Sequence, residues 1–523
     1  MRPPAIFTQI SFAPDVLSDL SGRLLPGLTG LVGPNGIGKS VFLKLLAGML
    51  PATSGQVSWN VPFVYFDQLL AGQFCGEPAR RIADVLGVGD LYDAFQRIEH
   101  GVPHDDDVER VAGAWDQPAH WHTLLDEAFL PTDPGRPVNT LSGGQQTRLS
   151  LCAAFIKTDH YLLLDEPGNH LDREGRRWLL QKLQQHPGGA LVVSHDRQLL
   201  RAMDNILELS ERGLSTFGGG FDLYHEQREL AAAALAQRVQ DTEKELRKVR
   251  AEQQAGEQRA ARRRQQGERQ RRDGSQGKML MDFKAEGAQG SQARLRARDE
   301  RRGQQLSVEL GAARAQQERS QRQQLGMVAA GTRRGIVLHL EDVILPFMVK
   351  TEPISLTVHS AERWHISGAN GSGKSTLLKV ISGELTPVSG KVALHGSCVY
   401  LDQHFSFLDP QLSALENLQL QDATVTAEQW RTWLGSLRLR ADKALMPLAQ
   451  LSGGERLKVA LLAVTGRTSP PDLLLLDEPD NHLDLDSITM LENALHNYQG
   501  TLMLVSHDAD FVESIGVTHL LAL

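Results

Sequence analysis

Cysteine is scarce in this chain. Its 523 residues include three, Cys75, Cys152 and Cys398, with no CxxC spacing. That excludes a disulfide framework, a four-cysteine zinc site and an iron–sulfur cluster, and it fits a reducing, cytoplasmic setting. Long apolar runs are missing too. None approaches the ~20 residues of a membrane span; the apolar runs are short, Leu162-Leu163-Leu164 among them. Prolines stand near Met1 where a signal peptide needs an apolar core. The chain is therefore expected to carry no membrane segment of its own. An excess of positive charge is also absent. The formal net charge is -8, which as an average argues against a nucleic-acid partner.

What is present is a globular composition, 41% hydrophobic and 23% charged, which excludes collagen-like and wholly disordered classes. The chain is too long for one ordinary domain. It is also duplicated. Gly33-Pro34-Asn35-Gly36-Ile37-Gly38-Lys39-Ser40 matches the pattern G-x-x-x-x-G-K-[ST]. So does Gly368-Ala369-Asn370-Gly371-Ser372-Gly373-Lys374-Ser375, at an offset of 335. Gln68, after Tyr65-Phe66-Asp67, recurs at the same offset as Gln403, after Tyr400-Leu401-Asp402. Leu141-Ser142-Gly143-Gly144-Gln145 returns as Leu451-Ser452-Gly453-Gly454-Glu455, now offset by 310. Asp165-Glu166-Pro167 returns as Asp477-Glu478-Pro479 and Ser194-His195-Asp196 as Ser506-His507-Asp508, both offset by 312. Two copies of one domain, residues 1–221 and 331–523, account for this order. The first has about 25 extra residues between 69 and 140, read as a surface insertion that includes Asp105-Asp106-Asp107.

Between the copies, residues 222–330 are rich in Arg, Gln, Ala and Glu, with two aromatics, Tyr224 and Phe283. Leu235, Val239, Thr242, Leu246 and Val249 follow the 4-3-4-3 spacing of a helix-pairing seam. Glycines at 267, 274, 277, 287 and 290 interrupt it. The pattern predicts two long helices, roughly 222–266 and 295–328, joined by a glycine-rich tip. This linker has 23 Lys/Arg against 16 Asp/Glu, and residues 259–302 alone have 14 against 6. The two copies are thus strongly acidic and the segment between them basic. A basic, aromatic-poor arm suits salt-dependent contact with RNA phosphates; Arg262, Arg263, Arg264, Arg271 and Arg272 are the candidates.

The chemistry lies in the repeated motifs. Each glycine-rich loop follows apolar residues and precedes a helical pattern, the context in which backbone N–H groups and a helix start cradle phosphates. Lys39 and Lys374 are placed to reach the β/γ-phosphates, and Ser40 and Ser375 to ligate Mg2+. The runs Tyr161–Leu164 and Leu473–Leu476 suit buried parallel strands. They end in Asp165-Glu166 and Asp477-Glu478, at the sheet edge where ligands bind. The aspartates are placed to hold Mg2+ and the glutamates to polarise an attacking water. Phe12 and Phe347 each stand 21 residues before a loop.

On these motifs the sequence resembles the ATP-binding cassette superfamily. The resemblance implies an α/β fold of two tandem P-loop cassettes, joined by a long α-helical linker, a coiled-coil hairpin. It implies ATP at two sites, each between the phosphate loop of one cassette and the signature of the other. One would join Lys39, Asp165 and Glu166 to Ser452, Gly453, Gly454 and Glu455. The other would join Lys374, Asp477 and Glu478 to Ser142, Gly143, Gly144 and Gln145. By the same resemblance Gln68 and Gln403 attend Mg2+ and water, His195 and His507 contact the γ-phosphate, and Phe12 and Phe347 stack on adenine. Val41 stands where the family usually has Thr, the residue that Thr376 supplies in the second copy.

Within the superfamily the chain is most similar to the ABC-F group, through its paired cassettes, charged linker and Asn-His-Leu-Asp at 169–172 and 481–484. Gly168 and Asp480 replace the usual Thr before that motif. The group implies a monomeric, cytoplasmic ATPase that acts on the ribosome and its tRNA or rRNA through residues 222–330, in translation regulation or antibiotic resistance. A membrane transporter's ATP-binding subunit does not need a 109-residue basic linker. A zinc-bearing repair ATPase needs more cysteine. Neutralising the five candidate arginines together is expected to weaken association with RNA or ribosomes and to flatten its salt dependence. Unchanged binding across a salt titration would remove the linker from RNA contact.

Overall fold

The computed structural model describes residues 2–67, 80–169, 171–272, 297–317, 335–347, 352–402, 405–437, 439, 442–469, 471–481 and 483–523. They fall into two compact units, one formed by 1–224 with 323–523 and one by 225–322.

The first unit contains both copies, each built on a sheet whose central strands are parallel. In the first copy β1 (Ala5–Phe12), β2 (Leu17–Arg23) and β4 (Ser54–Trp59) form an antiparallel sheet in the order β2-β1-β4. β3 (Leu28–Val32), β5 (Phe63–Asp67), β6 (Tyr161–Asp165), β7 (Ala190–Val193), β8 (Asn205–Ser210) and β9 (Gly213–Gly218) run in the order β5-β6-β7-β3-β8-β9. All neighbours there are parallel except β8 and β9. The second copy repeats the plan. Its antiparallel sheet is β11-β10-β13, from β10 (Ile336–Ile344), β11 (Ile354–His359) and β13 (Ser389–Leu394). Its parallel sheet is β14-β15-β16-β12-β17, from β12 (Arg363–Ser367), β14 (Cys398–Leu401), β15 (Leu473–Asp477), β16 (Thr501–Val505) and β17 (His519–Ala522).

The strand sequences explain the layering. Every residue of β6 and of β15 is buried, as near-continuous apolar strands are when both faces are covered. Alternate side chains therefore feed two cores. Leu162 and Leu164 pack with the helices Gly143–Phe155 and Arg173–Gln185, while Tyr161 and Leu163 pack with β1, β2 and the helix Lys39–Leu46. The second copy divides Leu474 and Leu476 from Leu473 and Leu475 in the same way.

In the extra segment of the first copy Asp105 and Asp106 are exposed in a turn, but the segment is not all loop. It belongs to a run of short helices, Ile82–Val85, Gly89–Glu99, Asp107–Val111 and Gln117–Glu127. Asp107 is buried and accepts two hydrogen bonds from the Arg97 guanidinium, at 2.8 and 2.6 Å. Phe95 packs edge-on against Trp115 and Trp121. A repeat offset shows that residues were added; it does not show that they bring their own apolar partners.

In the second unit the helix Phe221–Arg272 continues through Gly256 and Gly267, past the stop expected at 266. One glycine costs a helix only about 1 kcal/mol. Residues 297–317 are also helical. The expected seam is there: Val239, Thr242, Leu246 and Val249 are buried, and the apolar three cluster with Leu306, Leu310 and Ala313. Arg238–Glu309 and Arg302–Glu245 ion pairs, at 2.6 and 2.5 Å, join the two helices at their exposed margins. The glycines at 274, 277, 287 and 290 lie outside the described residues. No helix among the described residues is long and apolar enough to cross a membrane.

Candidate active site

Both phosphate loops join a parallel strand to a helix, β3 to Lys39–Leu46 and β12 to Lys374–Ser382. Gly38 and Gly373 begin these helices at φ 102 and 97°, where a side chain is strained. A side chain on Gly33 would lie 2.4 Å from the Leu209 carbonyl oxygen. The chain thus needs glycine to fold the backbone into a cradle. Lys39 Nζ donates to the carbonyls of Gly33 and Pro34, at 2.8 and 3.2 Å. Lys374 Nζ does the same to Gly368 and Ala369, at 2.8 and 2.9 Å. Burial lowers the pKa of both lysines, and the nearby carboxylates oppose it. Each ammonium is thus held by the carbonyls of its own loop.

Asp165 and Asp477 end β6 and β15 and are buried. Asp477 accepts from Ser375 Oγ at 3.1 Å and from the Tyr400 hydroxyl at 2.9 Å. Burial first, and then Asp477, raises the Tyr400 phenol, so it stays a hydrogen-bond donor. Sequence reasoning overlooked Tyr400, although Tyr65 and Tyr400 recur three residues before the repeated glutamines. Serine hydroxyl and carboxylate side by side form an all-oxygen donor set, which fits a hard divalent cation.

The next residue in each copy, Glu166 and Glu478, has φ 48°, a left-handed backbone outside glycine's usual preserve. Their N–H groups still extend the sheet, to Val193 and Val505 carbonyls at 3.0 and 2.9 Å. The bend turns each carboxylate toward a histidine from the next loop. His195 Nε2 is 3.5 Å from Glu166 Oε1, and His507 Nε2 is 3.6 Å from Glu478 Oε1. Burial, with Lys39 close by, pushes His195 down to about 3; burial, with Lys374 and Arg176 close by, pushes His507 down to about 4. Both rings are neutral near pH 7. Burial also raises the Glu166 carboxyl, against the pull of Lys39, which makes it a stronger base once ionised. His195 Nδ1 and Nε2 make no hydrogen bond among the described residues. Such a ring can donate to an incoming phosphate oxygen.

The two copies meet at these groups. Asp484 caps the helix Leu485–Asn497, accepting from Ser487 N at 2.8 Å. Its other oxygen accepts from the N–H of Asn35, in the opposite phosphate loop, at 2.8 Å. Leu485 joins the apolar cluster of the first copy. Arg197 grips Glu492 through two bonds, at 2.6 and 3.0 Å, and Arg201 reaches Asp510 at 2.7 Å. The copies are not equal here. A cavity of about 720 Å³ adjoins the second phosphate loop, lined in part by Arg173, His365, Val512, Glu513 and Leu520. Leu200 and Ile206, in the places of Val512 and Leu520, are buried with Phe221 and Tyr224 in the first copy.

The remaining predicted residues divide. Ser142 and Ser452 begin the helices Gly143–Phe155 and Gly453–Thr465. Gln145 and Glu455 close capping boxes, each accepting at 3.0 Å from the N–H of its serine. The fifth signature residue therefore has a local task as well. Val41 and Phe12 pack against the first core, whereas Phe347 is 86% exposed, at φ 65°. Arg262 is exposed on the linker helix. Gln68 and Gln403, and the side chains of Arg263, Arg264, Arg271 and Arg272, lie outside what the structure describes.

A family model described as ABC transporter matches residues 17–169 and 351–481. The ATP-binding protein Uup of Haemophilus influenzae is 30% identical over 521 residues, covering 92% of this chain and 72% of that protein. The energy-dependent translational throttle protein EttA of Mycobacterium tuberculosis is 28% identical over 545 residues, covering 97% and 88%. Among solved structures, the complex of archaeal ribosomal stalk protein aP1 with the archaeal ribosome recycling factor aABCE1 shares the fold. It has a TM-score of 0.52 and 18% identity, over 99% of this chain and 87% of that one.

The Arg197–Glu492 pair generates a direct test of the contact between the copies, since its side chains are only 11 and 12% exposed. Arg197→Met is expected to cost about 3 kcal/mol in urea unfolding, because it strands a largely buried carboxylate. Adding Glu492→Gln is expected to recover part of that loss; strict additivity in the double-mutant cycle would mean that the two side chains do not interact.

Proposed function

Because this chain belongs to the ABC-F group of the ATP-binding cassette family, and is an ATPase with two nucleotide-binding cassettes, we propose that it hydrolyses ATP at two sites shared between the cassettes and uses their closure to act on the ribosome. The observation that carries the composite sites is the Asp484 carboxylate of the second cassette on the Asn35 N–H of the first phosphate loop. A loop that donates a hydrogen bond to the other cassette can sense whether that cassette is near.

In this reading the loops Gly33–Ser40 and Gly368–Thr376 hold the phosphates through their backbone N–H groups, which every residue there but Pro34 has. Lys39 and Lys374 leave their loop carbonyls for the β/γ-phosphates. Ser142, Gly143, Gly144 and Gln145 close one site, and Ser452, Gly453, Gly454 and Glu455 the other. Ser40 with Asp165 and Gln68, and Ser375 with Asp477 and Gln403, are the residues that would hold Mg2+, which supplies positive charge against the phosphates. Glu166 and Glu478 take the proton of the attacking water. Neutral His195 and His507 each donate to the γ-phosphate, and Phe12 and Phe347 serve the adenine.

The ribosomal part rests on the linker and on relatives. Residues 222–330 have an excess of seven positive charges while the remainder of the chain is acidic. EttA is named for throttling translation, and aABCE1 for ribosome recycling. The linker arginines contact phosphates of tRNA or rRNA, and ATP-driven closure sets when they do so. Regulation of translation and relief of antibiotics are the two outcomes this chemistry serves. Replacing both Glu166 and Glu478 by Gln is expected to trap the ATP-bound, closed form. In sucrose-gradient sedimentation with ATP the variant should then accumulate with ribosomes. A double variant that binds ATP yet stays at the top of the gradient contradicts the ribosomal role.

A further inference from the structure

Asp480 stands where the first cassette has Gly168, and Arg176 stands where the second has Ile488, both at the repeat offset of 312. The two differences face one another. A cavity of about 40 Å³ between the cassettes is lined by Gly168, Arg176 and Asp196 of the first and by Asp480, Ile488 and Asp508 of the second. Asp480 Oδ2 accepts from Ser506 Oγ at 3.0 Å, and that same oxygen of Ser506 accepts from Asp508 N at 3.0 Å. Asp480 therefore ties the turn after Glu478 to the loop that carries His507. The other end of that turn is Asp484, on the Asn35 N–H of the first phosphate loop. One short segment thus connects the first phosphate loop to the glutamate and histidine of the second site. In the first cassette Gly168 has no side chain to make the matching tie, although a Cβ there would meet nothing within 4 Å.

We propose that Asp480 is a positioning residue for ATP hydrolysis at the second site, acting in its protonated form beneath Arg176 and Asp196 of the first cassette, and that it makes closure of the second site depend on a proton that the first does not need. Asp480 Oδ1 is buried with no hydrogen-bond partner among the described residues, and Asp508 is its near neighbour. The groups that face it are Asp508 and Ser506 from its own cassette, and Arg176, Asp196, Glu166 and His195 from the other. Arg176 is already engaged by Asp196, at 3.3 Å. Burial first, and then Asp508, push the Asp480 carboxyl up to about 7, with Ser506 and Arg176 opposing. The first cassette lines the cavity at Asp480 and so contributes to that burial, and bringing the cassettes together therefore takes up a proton there. Closure is then favoured below about pH 7 and weakened as the pH rises through that value. This inference rests on the ATPase activity and not on any ribosomal role.

The experiment is steady-state ATP turnover by the full chain, without ribosomes, between pH 6 and 9. The wild-type apparent KM for ATP is expected to rise above pH 7, by up to about tenfold per pH unit, the slope of one proton. Asp480→Asn, which cannot titrate, is expected to flatten that rise, and Asp480→Thr is expected to do the same with a different side chain. Arg176→Met removes a charge that favours the ionised carboxyl, so it should move the rise to higher pH. A wild-type rise that survives in both Asp480 variants overturns the proposal. So does an Arg176→Met midpoint that stays in place or moves to lower pH.

Discussion

Parallel strands covered on both faces can place charge only at their ends. β6 and β15 obey this strictly: buried apolar residues, then aspartate, then glutamate. The sheet thereby delivers carboxylates to one edge, and the glycine-rich loops arrive at that same edge because they too end parallel strands. Burial then sets the chemistry of everything collected there. It lowers the lysines, keeps the histidines neutral and raises the Glu166 carboxyl. Nucleotide handling in this molecule follows from strand packing.

The second theme is unequal duplication. The core strands and both phosphate loops repeat closely, down to a φ of 48° at each glutamate. The contacts between copies do not. Arg197 pairs with Glu492, but the matching residues are Ala509 and Leu180. Asp480 opposes Arg176, but Gly168 opposes Ile488. Duplicated domains that meet face to face can diverge wherever one side chain fills space for both. Two sites with the same lysine, glutamate and histidine therefore acquire different surroundings, and different surroundings allow different rates.

Much of this was legible in the sequence because the signals are local. Glycine at fixed spacing, an apolar run closed by two carboxylates and a 4-3-4-3 seam each report on the backbone within a few residues. Ser142 and Gln145 act just as locally, but their capping box emerged only with the structure. What was not legible depends on partners far along the chain. Asp107 looks like part of a solvated acidic run until Arg97 folds over it. Tyr400 becomes part of the site only when β14 is laid beside β15. Asp480 read as a departure from a motif, and its meaning waited for Ser506 and Arg176. The linker helix ran past Gly267 because one glycine is too weak a signal to end a long helix.

The central claim is that each site is shared, with Lys39 served by the signature at Ser452 and Lys374 by the one at Ser142. ATP turnover by two double variants tests it most directly. Lys39→Ala with Ser452→Arg damages one shared site twice, and the account predicts turnover close to that of Lys39→Ala alone. Lys39→Ala with Ser142→Arg damages both sites, and the account predicts turnover lower by about tenfold or more, since no intact site remains. The opposite ranking would contradict it and place each signature with the phosphate loop of its own cassette.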